Sequence, residues 1–224
     1  GKGTRMKSRL PKVLHLLAGR ALLQHVVDTA TTLQARRVVV ITGHGAIEVE
    51  ANLSNSTWGN GTNSKESKEG VDLRFVRQEP QLGTGHAVQQ AVPELLDDGI
   101  VVVLSGDVPL TQPDTLFHLI AASGGTRLAL LTLELSNPTG YGRIIRTGDK
   151  VQAIVEQKDA SVDQLKVCEI YSGIMAVPAV RLKAWLARLD NKNAQSEYYL
   201  TDIVKFAVAD GVDVVGDKIA DEVQ

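Results

Sequence analysis

Residues 100–110 read IVVVLSGDVPL, and this stretch indicates the fold class. Its consecutive apolar residues predict a strand that is buried on both faces, as in a parallel sheet covered by helices. Gly106 allows close approach of the backbone, and Pro109 ends the strand. We therefore expect Asp107 at the carboxyl end of a strand, where ligands bind in open α/β sheets. A turn-forming aspartate is the alternative interpretation.

Apolar strands alternate with amphipathic helices on both sides of this stretch. Strands are predicted at 37–42, 71–76, 100–105 and 128–135, and helices at 21–33, 83–96 and 113–122. Beyond residue 136, strands are predicted at 140–146, 150–157, 168–177 and 212–216, with a hairpin turn at 147–149 and helices at 178–189 and 199–210. This order predicts an α/β, Rossmann-like fold, in which a mixed, mainly parallel sheet carries helices on both faces.

Composition limits the class of protein. The chain has 224 residues, 43% of them hydrophobic, which is enough for the core of one large domain. A net charge of −2 argues against a protein that binds nucleic acid or a membrane surface. Cys168 is the only cysteine, so neither a disulfide framework nor a cysteine metal site is available. No apolar run reaches transmembrane length, and we expect a cytoplasmic protein.

The first fifteen residues, GKGTRMKSRLPKVLH, are rich in glycine and cations and contain no acid. Glycine N–H groups together with Arg5 and Lys12 can surround a polyphosphate. Neither a Walker spacing nor a G-x-G-x-x-G fingerprint is present. A solvated, basic terminus is the alternative interpretation.

Residues 78–88, QEPQLGTGHAV, offer a site for a base. Gln78 and Gln81 precede a Gly-Thr-Gly that opens a predicted helix. Amide side chains can pair with both edges of a nucleobase, and the glycines let the base approach the backbone. The alternative is an ordinary loop with a helix N-cap.

Four later segments, at 137–144, 154–159, 169–174 and 197–203, carry glycine, carboxylate and hydroxyl groups near predicted strand ends. Such groups can line a sugar pocket, but no spacing establishes one. The paired tyrosines at 198–199 are equally consistent with a core. By contrast, residues 54–70 are too polar to bury enough apolar surface to offset ordering, so we expect them to be mobile.

Taken together, six segments resemble one family, in one order and over nearly the whole chain. They read GKGTRM…LPKVLH, QEPQLGTGHAV, LSGDVPL, PTGYGRI, IVEQKDA and NAQSEYYLTDI. They are similar to the N-terminal uridylyltransferase domain of the bacterial bifunctional N-acetylglucosamine-1-phosphate uridylyltransferase/glucosamine-1-phosphate acetyltransferase. The resemblance implies an Mg²⁺-dependent enzyme that transfers UMP from UTP to N-acetylglucosamine 1-phosphate. Its product, UDP-N-acetylglucosamine, would serve cell-wall biosynthesis.

The resemblance also implies residue roles. Phosphate and loop contacts are expected from Gly1, Gly3, Thr4, Arg5 and Lys12, with Arg5 and Lys12 as the catalytic cations. Contacts to uracil and ribose are expected from Gln78, Gln81, Gly83 and Thr84, and Ser105 is expected to bind the nucleotide as well. Asp107 would bind Mg²⁺. The sugar phosphate would meet Gly142, Glu156, Thr201 and the residue at position 171.

The chain departs from the family at Tyr171, where an asparagine typically contacts the sugar. A related pyrophosphorylase for another sugar 1-phosphate is therefore an alternative. A non-catalytic nucleotide-sugar-binding domain is a second alternative, but it would be expected to lose Lys12 or Asp107, and both are present.

The resemblance further implies how the chain is organised. Residues 1–224 are expected to form one nucleotidyltransferase domain, with its nucleotide-binding part at roughly 1–110 and its sugar-phosphate part at roughly 111–224. The first, central strand is expected before residue 1, and a second metal ligand after Gln224. The C-terminal acetyltransferase β-helix domain, through which family members resemble homotrimers, is not in this sequence.

Overall fold

The computed structural model describes Ser8, residues 10–54 and residues 71–219, which form ten strands and six helices. The strands are β1 Leu16–Leu17, β2 Arg20–Ala21, β3 Arg37–Thr42, β4 Asp72–Arg77, β5 Ile100–Val103, β6 Leu128–Glu134, β7 Arg143–Thr147, β8 Lys150–Val155, β9 Glu169–Pro178 and β10 Val214–Lys218. The helices are α1 Leu22–Thr32, α2 Ala46–Ser54, α3 Thr84–Ala91, α4 Pro113–Ser123, α5 Ala179–Leu186 and α6 Ile203–Ala209. Apart from Ser54, the segment expected to be mobile lies outside these residues.

Most predicted elements are present, and the differences have local causes. The helix predicted at 83–96 ends at Ala91, where a 3-10 turn containing Pro93 follows. The helix predicted at 199–210 begins as a 3-10 turn and becomes α-helical only at Ile203. Helix α2 and the short β1–β2 hairpin were not predicted.

The larger sheet has the order β10-β6-β9-β7-β8, and β5 also pairs with β9. One edge of β9 pairs with β6, and the other is shared by β5 and β7. All these pairings of β9 are antiparallel. Within this sheet only β10 and β6 pair in parallel. The prediction of a mixed sheet is confirmed. Its pairs are mainly antiparallel rather than parallel, because β9 lies between β5 and β6, which run in the same direction.

Helices cover both faces of this sheet, as predicted. Alternate residues of β6 point to opposite sides, as strand geometry requires. Leu128 and Leu130 belong to a core with residues of α3, α5 and α6, including the fully buried Trp185. Ala129 and Leu131 belong to a second core that contains Leu116 and Leu119 of α4. Because burial on two faces leaves no polar side for water, β6 is nearly continuously apolar.

Strands β3 and β4 form a separate parallel pair, whose core includes residues of α1 and α2. Among the described residues, neither strand pairs with the larger sheet. Arg37 donates to the carbonyl of Glu94 at 2.8 Å, and Arg36 pairs with Asp98 at 2.9 Å. Both partners precede β5, so the start of β3 is held near the start of β5.

An ion pair between the half-buried Arg146 and the buried Glu169 joins β7 to β9. The carboxylate of Glu169 accepts hydrogen bonds from Arg146, at 2.7 Å from both Nε and Nη2, and from Thr132 at 2.8 Å. Burial alone would raise the pKa of Glu169, but the hydrogen bonds from Arg146 and Thr132 outweigh it, and the pKa is lowered. The pair therefore stabilises the fold above pH 4.5, the ordinary value, and this contribution is lost as the pH falls through the lowered pKa.

Replacing Arg146 should leave a buried carboxylate unpaired. We expect Arg146→Met to lower the free energy of unfolding by about 3–5 kcal/mol at pH 7 and by less near pH 4, where Glu169 can take up a proton. Urea unfolding at both pH values measures this. The control is Lys166→Met, which breaks an exposed pair with Asp163 and should change stability by less than about 0.5 kcal/mol. Equal losses in the two variants would contradict the assignment.

Candidate active site

Lys12 and Asp107 lie together, although 95 residues separate them. Lys12 begins a 3-10 turn after Pro11, and Asp107 lies just beyond β5, where the amide of Val108 donates to the carbonyl of Ser105. The distance from Lys12 Nζ to Asp107 Oδ2 is 2.5 Å, and both side chains are partly exposed, at 44% and 34%. The candidate phosphate cation and the candidate metal ligand therefore form one ion pair at the end of a strand.

Ser105 connects this end of β5 to β9. A Cβ added at Gly173 would lie 2.7 Å from Ser105 Oγ, and Gly173 has a φ of +93°, which favours glycine. Gly173 is two residues from Tyr171, the candidate sugar-side residue. The hydroxyl of Ser105 thus lies against β9 at Gly173.

The two candidate base-binding glutamines border one open cavity of about 710 Å³. It lies between the segment after β3 and the segment after β4, and its lining is Gly43, His44, Gly45, Ala46, Ile47, Glu48, Arg77, Gln78, Glu79, Pro80 and Gln81. The amide nitrogen of Gln78 donates to the carbonyl of Gly83 at 2.8 Å and lies 3.1 Å from Nδ1 of His86. The amide of Gln81 packs against Gly43.

The start of α3 is clamped by the backbone of Tyr198. The amide of Tyr198 donates to the carbonyl of Leu82 at 2.8 Å, and its carbonyl accepts from the amide of Gly85 at 2.7 Å. The Thr84 hydroxyl accepts from the amide of Leu200 at 3.1 Å. A Cβ at Gly83, where φ is +110°, would lie 2.6 Å from the carbonyl oxygen of Tyr198. The approach is therefore possible only with glycine.

The four candidate sugar-side residues lie in one place. Glu156 directly follows β8, and its Oε1 accepts from the hydroxyl of Thr201 at 2.9 Å. A Cβ added at Gly142 would lie 3.6 Å from Glu156 Oε2, so the carboxylate faces this glycine. The amide of Tyr171 donates to the carbonyl of Gly142 at 3.0 Å.

The carboxylate of Glu156 has an acidic environment. Burial raises its pKa, and the nearby carboxylates of Asp202, Asp159 and Glu197 raise it further, against the lowering effect of the Thr201 hydrogen bond. In the described part of the chain, no cation makes a hydrogen bond or ion pair with Glu156. The pocket therefore suits the hydroxyl groups of a sugar and disfavours a phosphate.

Tyr171 does not offer an accessible hydroxyl. Its side chain is 9% exposed, and among the described residues its hydroxyl has no hydrogen-bond partner. Burial is the main cause of a strongly raised pKa, so the phenol stays protonated. The position at which the family typically has an asparagine is thus filled by a largely apolar ring beside Glu156.

Residues 194–201 connect the sugar side to the clamp on α3. The hydroxyl of Tyr199 donates to Asp159 Oδ2 at 3.1 Å, and the amide of Ala194 donates to Asp159 Oδ1 at 2.9 Å. The amide of Asp159 in turn donates to the carbonyl of Glu156 at 2.9 Å and closes a turn. Burial raises the pKa of Tyr199 to about 12, so its hydroxyl remains a donor near neutral pH.

Asp107 is suited to share a metal ion with a ligand. Among the described residues, no group of three or more His, Cys, Asp or Glu side chains could hold a metal ion. Mg²⁺ commonly takes only one or two carboxylates and keeps its other positions for water and phosphate oxygens. A single, partly exposed carboxylate fits that requirement.

Among the described residues, no helix is long and apolar enough to cross a membrane.

Four predicted contacts, Gly1, Gly3, Thr4 and Arg5, lie outside the described residues. Sequence reasoning missed several residues that hold the site together, namely Gly85, Asp159 and Gly173. It did not decide whether the tyrosines at 198–199 belong to the site or to the core. The sequence carried only one local sign of these contacts, the glycines on both sides of Thr84. The other contacts join segments that are far apart in the chain, so no local pattern indicates them.

Glu156 gives a test of the geometry of this pocket. A raised pKa means that the half-buried, ionised carboxylate lowers stability above that pKa, and that this effect disappears as the pH falls toward 4.5. Glu156→Gln should therefore raise the free energy of unfolding by about 0.5–2 kcal/mol at pH 8, and by less near pH 4.5.

Thermal unfolding at the two pH values measures this effect of Glu156→Gln. Glu134→Gln, at a side chain that is 63% exposed, is the control. The assignment would be wrong if Glu156→Gln destabilised the protein at pH 8 more than the control does.

Comparisons with known proteins identify relatives of the chain and of its fold. A family model described as MobA-like NTP transferase domain matches residues 1–147. The bifunctional protein GlmU of Albidiferax ferrireducens is 72% identical over 224 residues, which are 100% of this chain and 47% of that protein. The bifunctional protein GlmU of Polaromonas sp. JS666 is 61% identical over 232 residues, or 100% of this chain and 48% of that protein. The chain thus spans about half the length of these relatives.

The fold is that of known nucleotidyltransferases. A crystal structure of UDP-glucose pyrophosphorylase with UDP-glucose has a TM-score of 0.76 at 17% identity, covering 97% of this chain and 88% of that one. At this identity the likeness concerns the fold alone. Because the family model covers well over half of its residues, the chain belongs to the MobA-like NTP transferase family.

Proposed function

We propose that this chain transfers UMP from UTP to N-acetylglucosamine 1-phosphate, giving UDP-N-acetylglucosamine and pyrophosphate. The observation that carries the proposal is the separation of charge in the site. The Lys12–Asp107 pair offers a cation and a metal ligand at the end of β5, whereas the surroundings of Glu156 are acidic and its carboxylate already accepts a hydrogen bond from the hydroxyl of Thr201. A sugar phosphate fits this arrangement with its sugar toward Glu156 and its phosphate toward Lys12.

The motif resemblance and the 72% identity to a bifunctional protein GlmU support the same reaction. The cavity that Gln78 and Gln81 border would take the uracil, and the start of α3 would take the ribose. The nucleotide part would then lie roughly in 1–110 and the sugar-phosphate part roughly in 111–224. We propose a cytoplasmic enzyme whose full-length form trimerises through a C-terminal acetyltransferase domain.

The reaction needs no side-chain nucleophile. A phosphate oxygen of the sugar phosphate is ionised near neutral pH and can attack the α-phosphorus of UTP in line with the departing pyrophosphate. The protein therefore contributes positioning and neutralisation of charge. Lys12, together with Arg5, would neutralise the phosphates, while Glu156, Thr201 and Gly142 would orient the sugar.

Enzymes that transfer nucleotidyl groups generally use Mg²⁺, and we propose that Asp107 holds it. When bound there, the ion would supply Lewis-acid chemistry toward the phosphates. In the structure Lys12 contacts Asp107 Oδ2, so the lysine has to leave that oxygen when a cation binds there. Lys12 would then be free to meet the phosphates.

A related pyrophosphorylase for another sugar 1-phosphate is the second candidate. It is favoured by the buried ring of Tyr171, which replaces the polar group that typically contacts the acetamido sugar in the family. The same charge separation would serve a different hexose equally well.

Pyrophosphate release from UTP, measured with a panel of sugar 1-phosphates and the natural full-length protein, tests the proposal. We expect N-acetylglucosamine 1-phosphate to give the highest kcat/KM, at least tenfold above glucose, galactose and glucosamine 1-phosphates. A clear preference for another sugar would establish the second candidate. No pyrophosphate with any member of the panel would contradict both.

Two variants of the ion pair test the metal assignment. Asp107→Asn and Lys12→Met break the same exposed pair, which is worth about 0–1 kcal/mol, so neither should unfold the protein. Calorimetric titration of Mg²⁺ in the presence of UTP should show binding that is lost in Asp107→Asn and kept in Lys12→Met. Turnover should fall at least 100-fold in Asp107→Asn. Unchanged Mg²⁺ binding in Asp107→Asn would remove Asp107 from the metal site.

A further inference from the structure

The guanidinium of Arg143 is buried without a counter-charge. Arg143 is 2% exposed, and among the described residues it forms no ion pair. Its Nη1 donates to the carbonyl of Tyr141 and its Nη2 to Gln157 Oε1 at 2.8 Å, while Nε has no partner. Burial of an uncompensated charge is unfavourable, so its hydrogen bonds to neutral groups need another explanation.

The oxygen that Arg143 contacts is shared. Gln157 Oε1 also accepts a hydrogen bond from the amide of Gly140 at 3.1 Å. Gly140 lies in the loop before β7, and Gln157 lies in the turn after β8. One amide oxygen thus joins two loops that are adjacent only because β7 and β8 form a hairpin.

Each of these loops carries one wall of the proposed sugar pocket. Gly142 is two residues after Gly140, and Glu156 immediately precedes Gln157. The two walls face each other closely, because a Cβ at Gly142 would lie only 3.6 Å from Glu156 Oε2. The hydrogen bonds at Gln157 Oε1 therefore join the two loops that carry these walls, just beyond the paired residues Arg143 and Val155 of the hairpin.

We propose that Gln157 is a positioning residue that sets the width of the sugar pocket, with Arg143 as the buried donor that holds its amide oxygen in place. The inference rests on the proposed function, because it concerns the sugar-phosphate side of that site. Gln157 acts through Gly142 and Glu156 rather than by touching the substrate.

The chemistry of Gln157 allows a graded test. An amide oxygen can accept two hydrogen bonds without adding a charge next to Glu156. Gln157→Met keeps much of the side-chain volume but removes the acceptor. Gln157→Glu keeps an acceptor for both donors and gives Arg143 a carboxylate partner.

The experiment is steady-state kinetics of the natural full-length protein, with UTP and N-acetylglucosamine 1-phosphate varied separately. Gln157→Met should raise KM for the sugar phosphate about threefold to tenfold, which is the usual effect of losing one or two hydrogen bonds. It should leave kcat and the KM for UTP within about twofold of the values for the unsubstituted protein. Gln157→Glu should return KM for the sugar phosphate to within about twofold of the unsubstituted protein.

Gln164→Met is the matched control. Gln164 Oε1 also accepts from a backbone amide, that of Ser161 at 2.9 Å, but in an exposed loop that carries none of the candidate pocket residues. This variant should leave all three kinetic constants unchanged. Three outcomes would overturn the proposal. One is a lower melting temperature in Gln157→Met with unchanged KM for the sugar phosphate. The others are equal changes in KM for both substrates, and a KM for the sugar phosphate that Gln157→Glu does not restore.

A separate readout distinguishes this proposal from the proposed function. If the unsubstituted protein showed no turnover, hydrogen exchange would still report on the two loops. Exchange at the amide of Gly140 should be faster in Gln157→Met than in Gln164→Met, because only the first variant removes its acceptor. Equal exchange in the two variants would overturn the positioning role.

Discussion

The two sides of the candidate site meet where the backbone of Tyr198 lies against the start of α3. Two backbone hydrogen bonds hold it there, and the glycines at 83 and 85 leave no space for a side chain. The neighbouring residues of the same segment contact the sugar side: Tyr199 holds the turn that begins at Glu156, and Thr201 contacts the carboxylate itself. The relative position of the two sides is therefore set by main-chain atoms, which respond little to side-chain motion.

Charge is distributed unevenly over this framework. A cation and a carboxylate meet at the end of β5, whereas Glu156 lies near other carboxylates and makes no ion pair with a cation among the described residues. Two anionic substrates can occupy such a site only if their phosphates meet at the cationic end, where bound Mg²⁺ would add further positive charge.

Hydrophobic patterning predicted most of the fold, because strands such as β3, β5 and β6 are apolar runs bounded by polar residues. It could not show that β9 lies between β5 and β6, because the alternation of apolar and polar residues along a strand does not depend on which strands pair with it. Helix α2 was missed because it is short and its apolar residues are interrupted by acids. The motifs named the candidate residues, but not the contacts between them: Thr84 and Leu200 are 116 residues apart. Only the folded chain brings these distant residues into contact.

Native-state hydrogen exchange at the amides of Gly85 and Tyr198 tests this account most directly. If their hydrogen bonds fix the two sides of the site, both amides should exchange only when the whole domain unfolds. Their free energy of opening should then equal that of the amides that join β6 to β9. Exchange through a local opening, at a free energy well below that of global unfolding, would show that the two sides move independently and would contradict the account.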